Sequence, residues 1–496
     1  MRNVDDVLNI SPEFDSKSFF KLFNFVFIFS LVYFFPLISG DLYFFTDYAK
    51  SIEGHASWQN AGTPFANFLL SLFSFQLNSN SINEASIVDS GPFLQIISIL
   101  FLSLSIALFC TVLFKNRAKF YYAVAAFSII ANPFILNGMI SRFECIIYSF
   151  AISLSLVASL NIKTKAKNLI LGSLLLVTAL ATYQPAINLF IGASLLLFLV
   201  NFNSDRSQAY SILKNNSFKL CIGTLSYKLI VLDQIKSFSD HDYNFNLFPR
   251  VFGHSIDILI NLAGILSESK VLIYFILYSI IVYAIFFIKS SDNKVESLLV
   301  FLLCLTGIIF SVTASYIILG IPLIQAKSFL GFSSLLLFAF LGFLKTTPQQ
   351  LPYSKAIILI PSFYLLFQAY SFTAVHKGSA DFTRNLGHSI KNRLEELDIN
   401  SNTKVGLKLE RQSYLSPAVK NTLNHEDKLL KYLVQNDYVF SKQQPTIEYL
   451  KFLGLKTKIY PSQNIENFNE LQFENSYFKI LKMQNHYLVI LKSKIQ

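Results

Sequence analysis

Apolar segments about as long as a bilayer is thick recur along this chain and constrain its fold more than any other feature. Hydrophobic residues make up 53% of its 496 residues, and charged residues only 14%. Runs of roughly 18 or more apolar residues are typical of transmembrane helices. The segments lie at about 18–39, 93–114, 120–138, 144–161, 168–182, 186–201, 213–233, 271–288, 296–318, 328–344 and 355–374. The sequence therefore predicts an α-helical polytopic membrane protein with about 11 transmembrane helices.

The charges between these segments alternate along the chain. Basic residues concentrate in every second loop, at Lys115, Arg117, Lys119, Lys163, Lys165, Lys167, Arg206, Lys214, Lys219, Lys289, Lys294, Lys345 and Lys355. Acidic residues concentrate in the other loops, at Asp41, Asp47, Glu53, Glu84, Asp89, Glu144, Asp240 and Asp242. Because basic loops stay on the cytoplasmic side, we expect residues 1–17 inside, the loop over 40–92 outside and the C-terminus outside. This topology accounts for the net charge of +11, and no nucleic-acid partner is expected.

The composition changes near His376, where the apolar segments end and a polar, charged sequence begins. Phe382–Leu397 has a helix-like pattern, and Lys404–Leu409 alternates as a strand does. Tyr477–Leu491 consists of two strand-like halves around a turn at Asn485. We therefore expect a transmembrane domain over 18–375 and a small α/β domain over 376–496 on the outer face.

The first outward loop holds two carboxylates close to the membrane. Asp41 directly follows the first apolar segment, Asp47 comes six residues later, and Trp58 is the only tryptophan of the chain. Thr63–Leu77 is apolar at helical spacing and predicts an amphipathic helix at the interface. One interpretation is an ordinary interfacial loop with solvated acids and an aromatic belt. The other is a carboxylate held at the membrane face to act on a lipid-borne substrate.

The remaining outward loops supply other candidate residues. Arg142 and Glu144 begin the fourth segment, either as an interfacial salt bridge or, for the arginine, as a partner for a lipid-linked phosphate. Tyr183 and Gln184 lie in a tight loop, either simply a turn before a helix that starts at Pro185 or a pair of side chains that hydrogen-bond a sugar hydroxyl. Further basic or histidine candidates are Lys228, with Asp233 as its possible partner, Arg250, His254 and Lys327. The chain contains no glycine-rich phosphate loop, no HExxH and no GxSxG motif.

These residues together resemble a known family, the serotype-converting O-antigen glucosyltransferases of bacteria and phages. The similarity rests on an acid after the first segment, on Trp58-Gln59-Asn60-Ala61-Gly62-Thr63-Pro64, on Arg142-Phe143-Glu144 and on the turn Tyr183-Gln184. Two features depart from the family. Asp41 is followed by Leu42 instead of a second aspartate, and Thr63 stands where the family has an arginine. Either Asp41 or Asp47 can therefore inherit the role of the family's acid.

The resemblance implies a GT-C-like membrane glycosyltransferase of the bacterial inner membrane, with its C-terminal domain in the periplasm. Its donor would be a hexose, glucose by resemblance to the family, on undecaprenyl phosphate, and its acceptor a lipid-linked polysaccharide. Asp41 or Asp47 would be the catalytic base, and Arg142, Lys228, Arg250 or Lys327 would bind the donor phosphate. Trp58, Glu144, Tyr183, Gln184 and His254 would bind sugar or acceptor. An inverting displacement of this kind requires no cofactor, although a divalent metal remains an open alternative.

Two other classes of function fit the same segments. A polysaccharide flippase or transporter would share the topology, but its charges would concentrate inside the membrane segments. An O-antigen polymerase or ligase would also act at the outer face, and it would use outward arginines more heavily. A side-branch hexose on the surface polysaccharide would indicate a transferase, whereas a changed chain length would indicate a polymerase.

Overall fold

The computed structural model describes most of the chain. The described residues are 15–44, 47–58, 61–78, 80–161, 165–232, 247–319, 325–347, 355–397, 403–409, 416–426, 428–434, 443–455, 458–461, 470–483 and 486–492. They are mostly helical. The helices are α1 (Ser16–Ser39), α2 (Asp47–Glu53), α3 (Pro64–Phe73), α4 (Pro92–Leu113), α5 (Phe120–Phe127), α6 (Pro133–Met139), α7 (Glu144–Ser159), α8 (Lys165–Thr182), α9 (Ala186–Phe202), α10 (Arg206–Ile230), α11 (Leu247–Leu266), α12 (Lys270–Lys289), α13 (Lys294–Phe310), α14 (Ala314–Leu319), α15 (Phe332–Thr346), α16 (Leu359–Glu396), α17 (Pro417–His425), α18 (Lys428–Val434) and α19 (Gln443–Phe452).

Several of these helices are suited to a membrane. In the described part of the chain, five helical stretches are long and apolar enough to cross one, namely Ser16–Ser39, Pro92–Leu113, Lys270–Lys289, Lys294–Ile318 and Ala356–Glu396. Shorter apolar helices accompany them, at Pro64–Phe73, Glu144–Ser159, Ala166–Thr182, Ala186–Phe202, Val251–Leu266 and Phe332–Thr346. Large apolar side chains such as Leu303 and Ile170, each 71% exposed, face outward from the helices. These surfaces indicate membrane association.

The segment predicted as one helix over 120–138 is instead two short buried helices, α5 and α6. The chain turns between them because Pro133 has no backbone N–H to continue a helix. Asn132 then caps the second helix, since its side-chain oxygen accepts a hydrogen bond from the Phe134 N–H at 3.0 Å. Elsewhere the predicted amphipathic helix after Thr63 is present as α3, with Pro64 in its first turn.

The polar C-terminal sequence begins within a helix and not at a linker. α16 continues unbroken from Leu359 through His376 to Glu396, so the predicted boundary at 376 lies inside it. The predicted helix Phe382–Leu397 is the end of α16. A change from apolar to polar side chains alters what surrounds a helix without ending it, and no proline follows Pro361 in this helix to interrupt its hydrogen bonds.

Two short strands, β1 (His55–Ala56) and β2 (Ala85–Ser86), lie in the first loop, and a five-stranded mixed sheet follows α16. Its strands are β3 (Lys404–Leu409), β4 (Lys458–Pro461), β5 (Glu470–Glu474), β6 (Phe478–Met483) and β7 (His486–Leu491), in the order β4-β3-β7-β6-β5. β3 pairs in parallel with β4 and β7, whereas β5, β6 and β7 pair antiparallel. The strands predicted from alternation at Lys404–Leu409 and within Tyr477–Leu491 are therefore confirmed. The core of this domain joins the sheet to the end of α16 and to α19.

Hydrogen bonds between loops divide into two sets. One set joins loops predicted to face inward, by Lys115–Ser204 at 2.9 Å, Asn203–Ser290 at 2.9 Å and Arg206–Glu296 at 2.8 Å. The other set joins loops predicted to face outward, by Gln184–Ala61 at 3.0 Å, Tyr227–Gly62 at 2.7 Å and Lys327–Glu144 at 2.9 Å. The basic and acidic loops thus gather at opposite ends of the helices.

Candidate functional site

A strand pair and side-chain hydrogen bonds fix the backbone of the first loop near Trp58. Within this loop, the short strands β1 (His55–Ala56) and β2 (Ala85–Ser86) pair antiparallel and bring together residues about 30 positions apart in sequence. Within the loop, the buried side chain of Asn67 accepts a hydrogen bond from the Trp58 N–H at 2.9 Å and donates to the Ile82 carbonyl at 2.8 Å. The backbone of Trp58 is therefore held in place by a helix, α3, and not left on a free loop.

A cavity of about 240 Å³ lies where the loops predicted to face outward meet. It is lined by Trp58, Ala61, Thr63, Gly138, Glu144, Ile147, Tyr148, Thr182, Tyr183, Gln184, Pro185, Gln325 and Lys327. The lining combines aromatic faces with a few charged and hydrogen-bonding groups, which is typical of small-molecule sites. The structure thus brings together five residues expected at the site, namely Trp58, Glu144, Tyr183, Gln184 and Lys327.

Two lysines share one carboxylate beside this cavity. Glu144, the first residue of α7, accepts hydrogen bonds from the Lys50 ammonium at 2.5 Å and from the Lys327 ammonium at 2.9 Å. The Lys50 ammonium also lies 5.0 Å from the centre of the Trp58 ring, a cation–π distance. We name Lys50, Trp58, Glu144 and Lys327 the lysine cluster. It holds two positive charges against one negative charge.

A second group has the opposite balance of charge. The Arg142 guanidinium pairs with the Asp41 carboxylate and, at 3.1 Å, with the Asp89 carboxylate. Its Cζ lies 4.2 Å from the centre of the Tyr43 ring, and the Tyr43 hydroxyl donates a hydrogen bond to Asp89. The Asp41 side chain is 75% exposed, whereas that of Arg142 is 9% exposed. We name Asp41, Tyr43, Asp89 and Arg142 the arginine cluster.

Backbone geometry and burial shape this second group. Asp41 follows the end of α1 with φ of 47°, in the left-handed region that aspartate tolerates better than most residues. Burial and the hydrogen bond to Asp89 raise the pKa of Tyr43 to about 12, so its hydroxyl stays protonated as a donor. Burial opposes the charge on Arg142, but its bond to Asp41 and the charge of Asp89 outweigh burial and raise its pKa.

Asp47 is enclosed between the two clusters. Its carboxylate accepts hydrogen bonds from the Ser141 hydroxyl at 2.7 Å and from the N–H groups of Arg142 and Phe44, each at 3.0 Å. The Lys50 ammonium lies 3.9 Å away. Burial raises the pKa of Asp47 despite these partners. With a side chain that is 0% exposed, Asp47 ties the first loop to the 141–142 segment and offers no surface to an acceptor hydroxyl.

The turn Tyr183-Gln184 lines the cavity and also contacts the first loop. The Gln184 amide donates to the Ala61 carbonyl at 3.0 Å and to the Tyr227 hydroxyl at 2.7 Å, so it holds the loop after Trp58. Gly62 has φ of 76°, and a Cβ there would lie 2.7 Å from the Gln184 amide nitrogen. Tyr183 lines the cavity, with its ring 5.2 Å from that of Tyr148.

The other expected residues lie elsewhere. His254 stands on α11 with 59% of its side chain exposed, 3.9 Å from Asp257, and it does not line the cavity. Lys228 is near the end of α10 and does not line the cavity either. The side chain of Arg250, together with Asp233, Asp240 and Asp242, lies outside the described residues.

Sequence reasoning missed several residues of the site. Lys50 and Asp89 belong to the two clusters, Tyr148 and Gln325 line the cavity, and Asn67 holds the backbone of Trp58. Lys50 had a usable signal, because it lies one helical turn after Asp47 and is the only basic residue of that segment. Among the residues that the structure describes, no group of three or more His, Cys, Asp and Glu side chains is placed to hold a metal ion.

Comparison with known proteins identifies the family. The model of the family described as Glucosyl transferase GtrII matches residues 35–341, more than half of the chain and the part that carries both clusters. An uncharacterised 55.3 kDa protein from the gtrB 5′ region of Salmonella phage P22 is 24% identical over 261 residues. That match covers 50% of this chain and 52% of the relative, so the chain spans about half the length of the curated relative it matches. No solved structure matches. The resemblance to O-antigen glucosyltransferases is thus confirmed at the level of the family, and this chain belongs to the GtrII glucosyl transferase family.

Proposed function

We propose that this protein transfers a glucosyl residue from undecaprenyl phosphate to a hydroxyl of the O-antigen, on the periplasmic face of the bacterial inner membrane. The observation that carries the proposal is the cavity in which Trp58 and Tyr183 stand beside a carboxylate shared by two lysines. Aromatic faces suit a sugar ring, and paired ammonium groups suit the phosphate that leaves it. The membership of the chain in a glucosyl transferase family supports the same reaction.

The topology that we propose has 11 crossings, with the N-terminus inside and the C-terminal domain in the periplasm. α5 and α6 together would make one of these crossings. The two sets of loop contacts support this arrangement, because basic loops contact basic loops at one end and the cavity loops meet at the other. Reporter fusions after Arg206 and Gln496 are expected inside and outside, respectively. An inside signal at Gln496 would overturn the count.

The lysine cluster is the better match for the donor phosphate. Arg142, favoured by the sequence for this role, already faces two carboxylates, Asp41 and Asp89. Lys50 and Lys327 share the Glu144 carboxylate, at 2.5 Å and 2.9 Å, and Asp47 lies 3.9 Å from the Lys50 ammonium. A phosphate that loses its sugar gains negative charge, which the two ammonium groups of this cluster would stabilise. We therefore assign Lys327 and Lys50 to the phosphate and Arg142 to holding Asp41.

Asp41 is the base in this scheme. The acceptor oxygen attacks the anomeric carbon, its proton passes to the Asp41 carboxylate, and the carbon–oxygen bond to phosphate breaks with its electron pair leaving on the phosphate. One such displacement inverts the anomeric carbon. It requires the base and the phosphate on opposite sides of the sugar, and two clusters with opposite charge balance can supply these two roles. The scheme uses no metal ion.

The experiment compares surface polysaccharide from cells with the intact gene and from cells with the gene deleted. We expect a side-branch glucose that is lost on deletion and restored by the wild-type gene. Purified protein in nanodiscs, supplied with radiolabelled undecaprenyl-phosphate glucose and lipopolysaccharide, should label the polysaccharide. A changed chain length without a side branch would overturn the proposal in favour of a polymerase or ligase. Movement of a lipid-linked glycan across the membrane without a new bond would overturn it in favour of a flippase.

A further inference from the structure

The first outward loop is packed into the core of the C-terminal domain. Tyr48, on α2, is 6% exposed and belongs to the same apolar core as the sheet. Its ring centre lies 4.8 Å from that of Tyr449 and 5.1 Å from that of Phe452, both on α19. Tyr43 stacks on Tyr48 at 5.5 Å and lies 5.3 Å from Phe452. Four aromatic rings therefore join α19 to the loop that follows α1.

Both tyrosines are also connected to Arg142, Tyr43 as a member of the arginine cluster and Tyr48 through its chain neighbour Asp47. Tyr43 lies under the Arg142 guanidinium and donates to Asp89. Tyr48 directly follows Asp47, which accepts hydrogen bonds from Ser141 and from the Arg142 N–H. A displacement of these rings would therefore move Arg142 in two ways. The Tyr43 ring contacts the Arg142 side chain, and Asp47, next to Tyr48, accepts a hydrogen bond from the Arg142 backbone N–H.

α19 packs closely against α16. A Cβ on Gly387 of α16 would lie 2.6 Å from the Tyr449 ring, so the ring rests directly on the backbone of that helix. α16 lies within Ala356–Glu396, a stretch long and apolar enough to cross a membrane. The helix that supports α19 therefore continues into the apolar part of the chain. Packed aromatic pairs of this kind are each worth several-fold in an equilibrium constant.

We propose that Tyr449 and Phe452 are positioning residues, through which the C-terminal domain fixes the first loop and sets Arg142 against Asp41. The effect on catalysis rests on the proposed function, whereas the effect on the loop does not. Under this proposal the C-terminal domain contributes to the transfer step itself. A domain that served only to bind the polysaccharide acceptor would affect acceptor binding and leave the transfer step unchanged.

The position of the loop can be measured without any substrate, because Trp58 is the only tryptophan of the chain. The Lys50 ammonium of α2 lies 5.0 Å from its ring, so a shift of α2 would change the emission of Trp58. Phe452→Ala is the test variant, since Phe452 is 37% exposed and its loss spares the centre of the core. The exposed Lys451 on the same helix provides the control, Lys451→Ala, and Phe452→Tyr provides the conservative variant.

We expect Phe452→Ala to change the emission and the acrylamide quenching of Trp58, with Lys451→Ala and Phe452→Tyr matching the wild type. In the transfer assay, Phe452→Ala should lower kcat about threefold to tenfold with the acceptor KM unchanged. Phe452→Leu replaces it if the alanine variant does not fold. Unchanged Trp58 emission, or a rise in acceptor KM alone, would overturn the proposal. A changed emission in a protein whose wild type transfers no glucose would support the positioning and overturn the proposed function instead.

Discussion

The arginine cluster and the lysine cluster are built on the same short segment and differ in their balance of charge. Arg142 places one cation between two carboxylates, and Glu144, two residues later, places one carboxylate between two ammonium groups. Hexosyl transfer from a phosphate needs a group that accepts a proton and groups that stabilise a leaving anion. In the proposed scheme one turn of chain organises both requirements, because Arg142 holds the carboxylate of Asp41 and Glu144 holds the ammonium groups of Lys50 and Lys327.

Removing the exposed carboxylate of the arginine cluster should have the largest effect. Asp41→Asn is nearly isosteric but cannot accept the acceptor proton, so we expect kcat to fall by about 10²–10⁴. Expression and membrane insertion should be unchanged, because the Asp41 side chain is largely exposed. Steady-state transfer assays measure the fall, with Glu144→Gln as the matched variant in the other cluster. Near-normal transfer by Asp41→Asn together with a loss in Glu144→Gln would move the base to the lysine cluster.

Removing the charge of Lys327, in the lysine cluster, should weaken binding of the donor. Lys327→Gln keeps the length of the side chain and removes its charge, and a charged hydrogen bond is worth about tenfold to a hundredfold in affinity. We therefore expect the KM for undecaprenyl-phosphate glucose to rise by that factor. Lys228→Gln is the control, because Lys228 does not line the cavity. An equal effect of both variants would show that the phosphate is not bound by the lysine cluster in particular.

Asp47, which connects the clusters, should matter for stability more than for chemistry. Asp47→Ala leaves the Ser141 hydroxyl and the N–H groups of Phe44 and Arg142 without their acceptor, which should cost about 1–3 kcal/mol of unfolding free energy. Asp47→Asn can still accept the two N–H groups and donate to Ser141, so it should cost less. Thermal unfolding in detergent measures both. A large loss of transfer in a stable Asp47→Asn protein would instead make Asp47 the base.

The smallest expected effect is the dependence of that stability on pH. Burial raises the pKa of Asp47 above its ordinary value of 3.8, so the ionised carboxylate opposes folding above the folded-state pKa. This opposition fades as the pH falls through the folded-state pKa toward the ordinary value. Wild-type protein should therefore gain stability relative to Asp47→Asn as the pH is lowered from 7. If the stability of Asp47→Asn rose relative to that of the wild type as the pH fell, the raised pKa of Asp47 would be contradicted.

Much of the fold was predictable, because it depends on local pattern. The apolar segments, the helix after Thr63 and the strands around Asn485 were each indicated by residues close together in sequence. The broken helix over 120–138 was not predicted. Its hydrophobicity is continuous, and the break comes from Asn132 and Pro133.

The candidate site was predictable in part. The sequence indicated Trp58, Glu144, Tyr183, Gln184 and Lys327, which line one cavity. The pairing of charges was not predictable, because it depends on which helices are neighbours. Arg142 and Glu144, considered as one salt bridge from their spacing, bind different partners, and the partner of Asp41 lies 101 residues away.

The direct test of the division between the clusters is equilibrium binding of undecaprenyl-phosphate glucose to two variants side by side. Titration into nanodiscs that contain Asp41→Asn or Lys327→Gln separates donor binding from the transfer step. We expect Asp41→Asn to bind the donor as the wild type does while transferring almost no glucose, and Lys327→Gln to bind it about tenfold to a hundredfold more weakly. Weakened donor binding by Asp41→Asn, with wild-type binding by Lys327→Gln, would contradict the assignment of proton and phosphate to separate clusters.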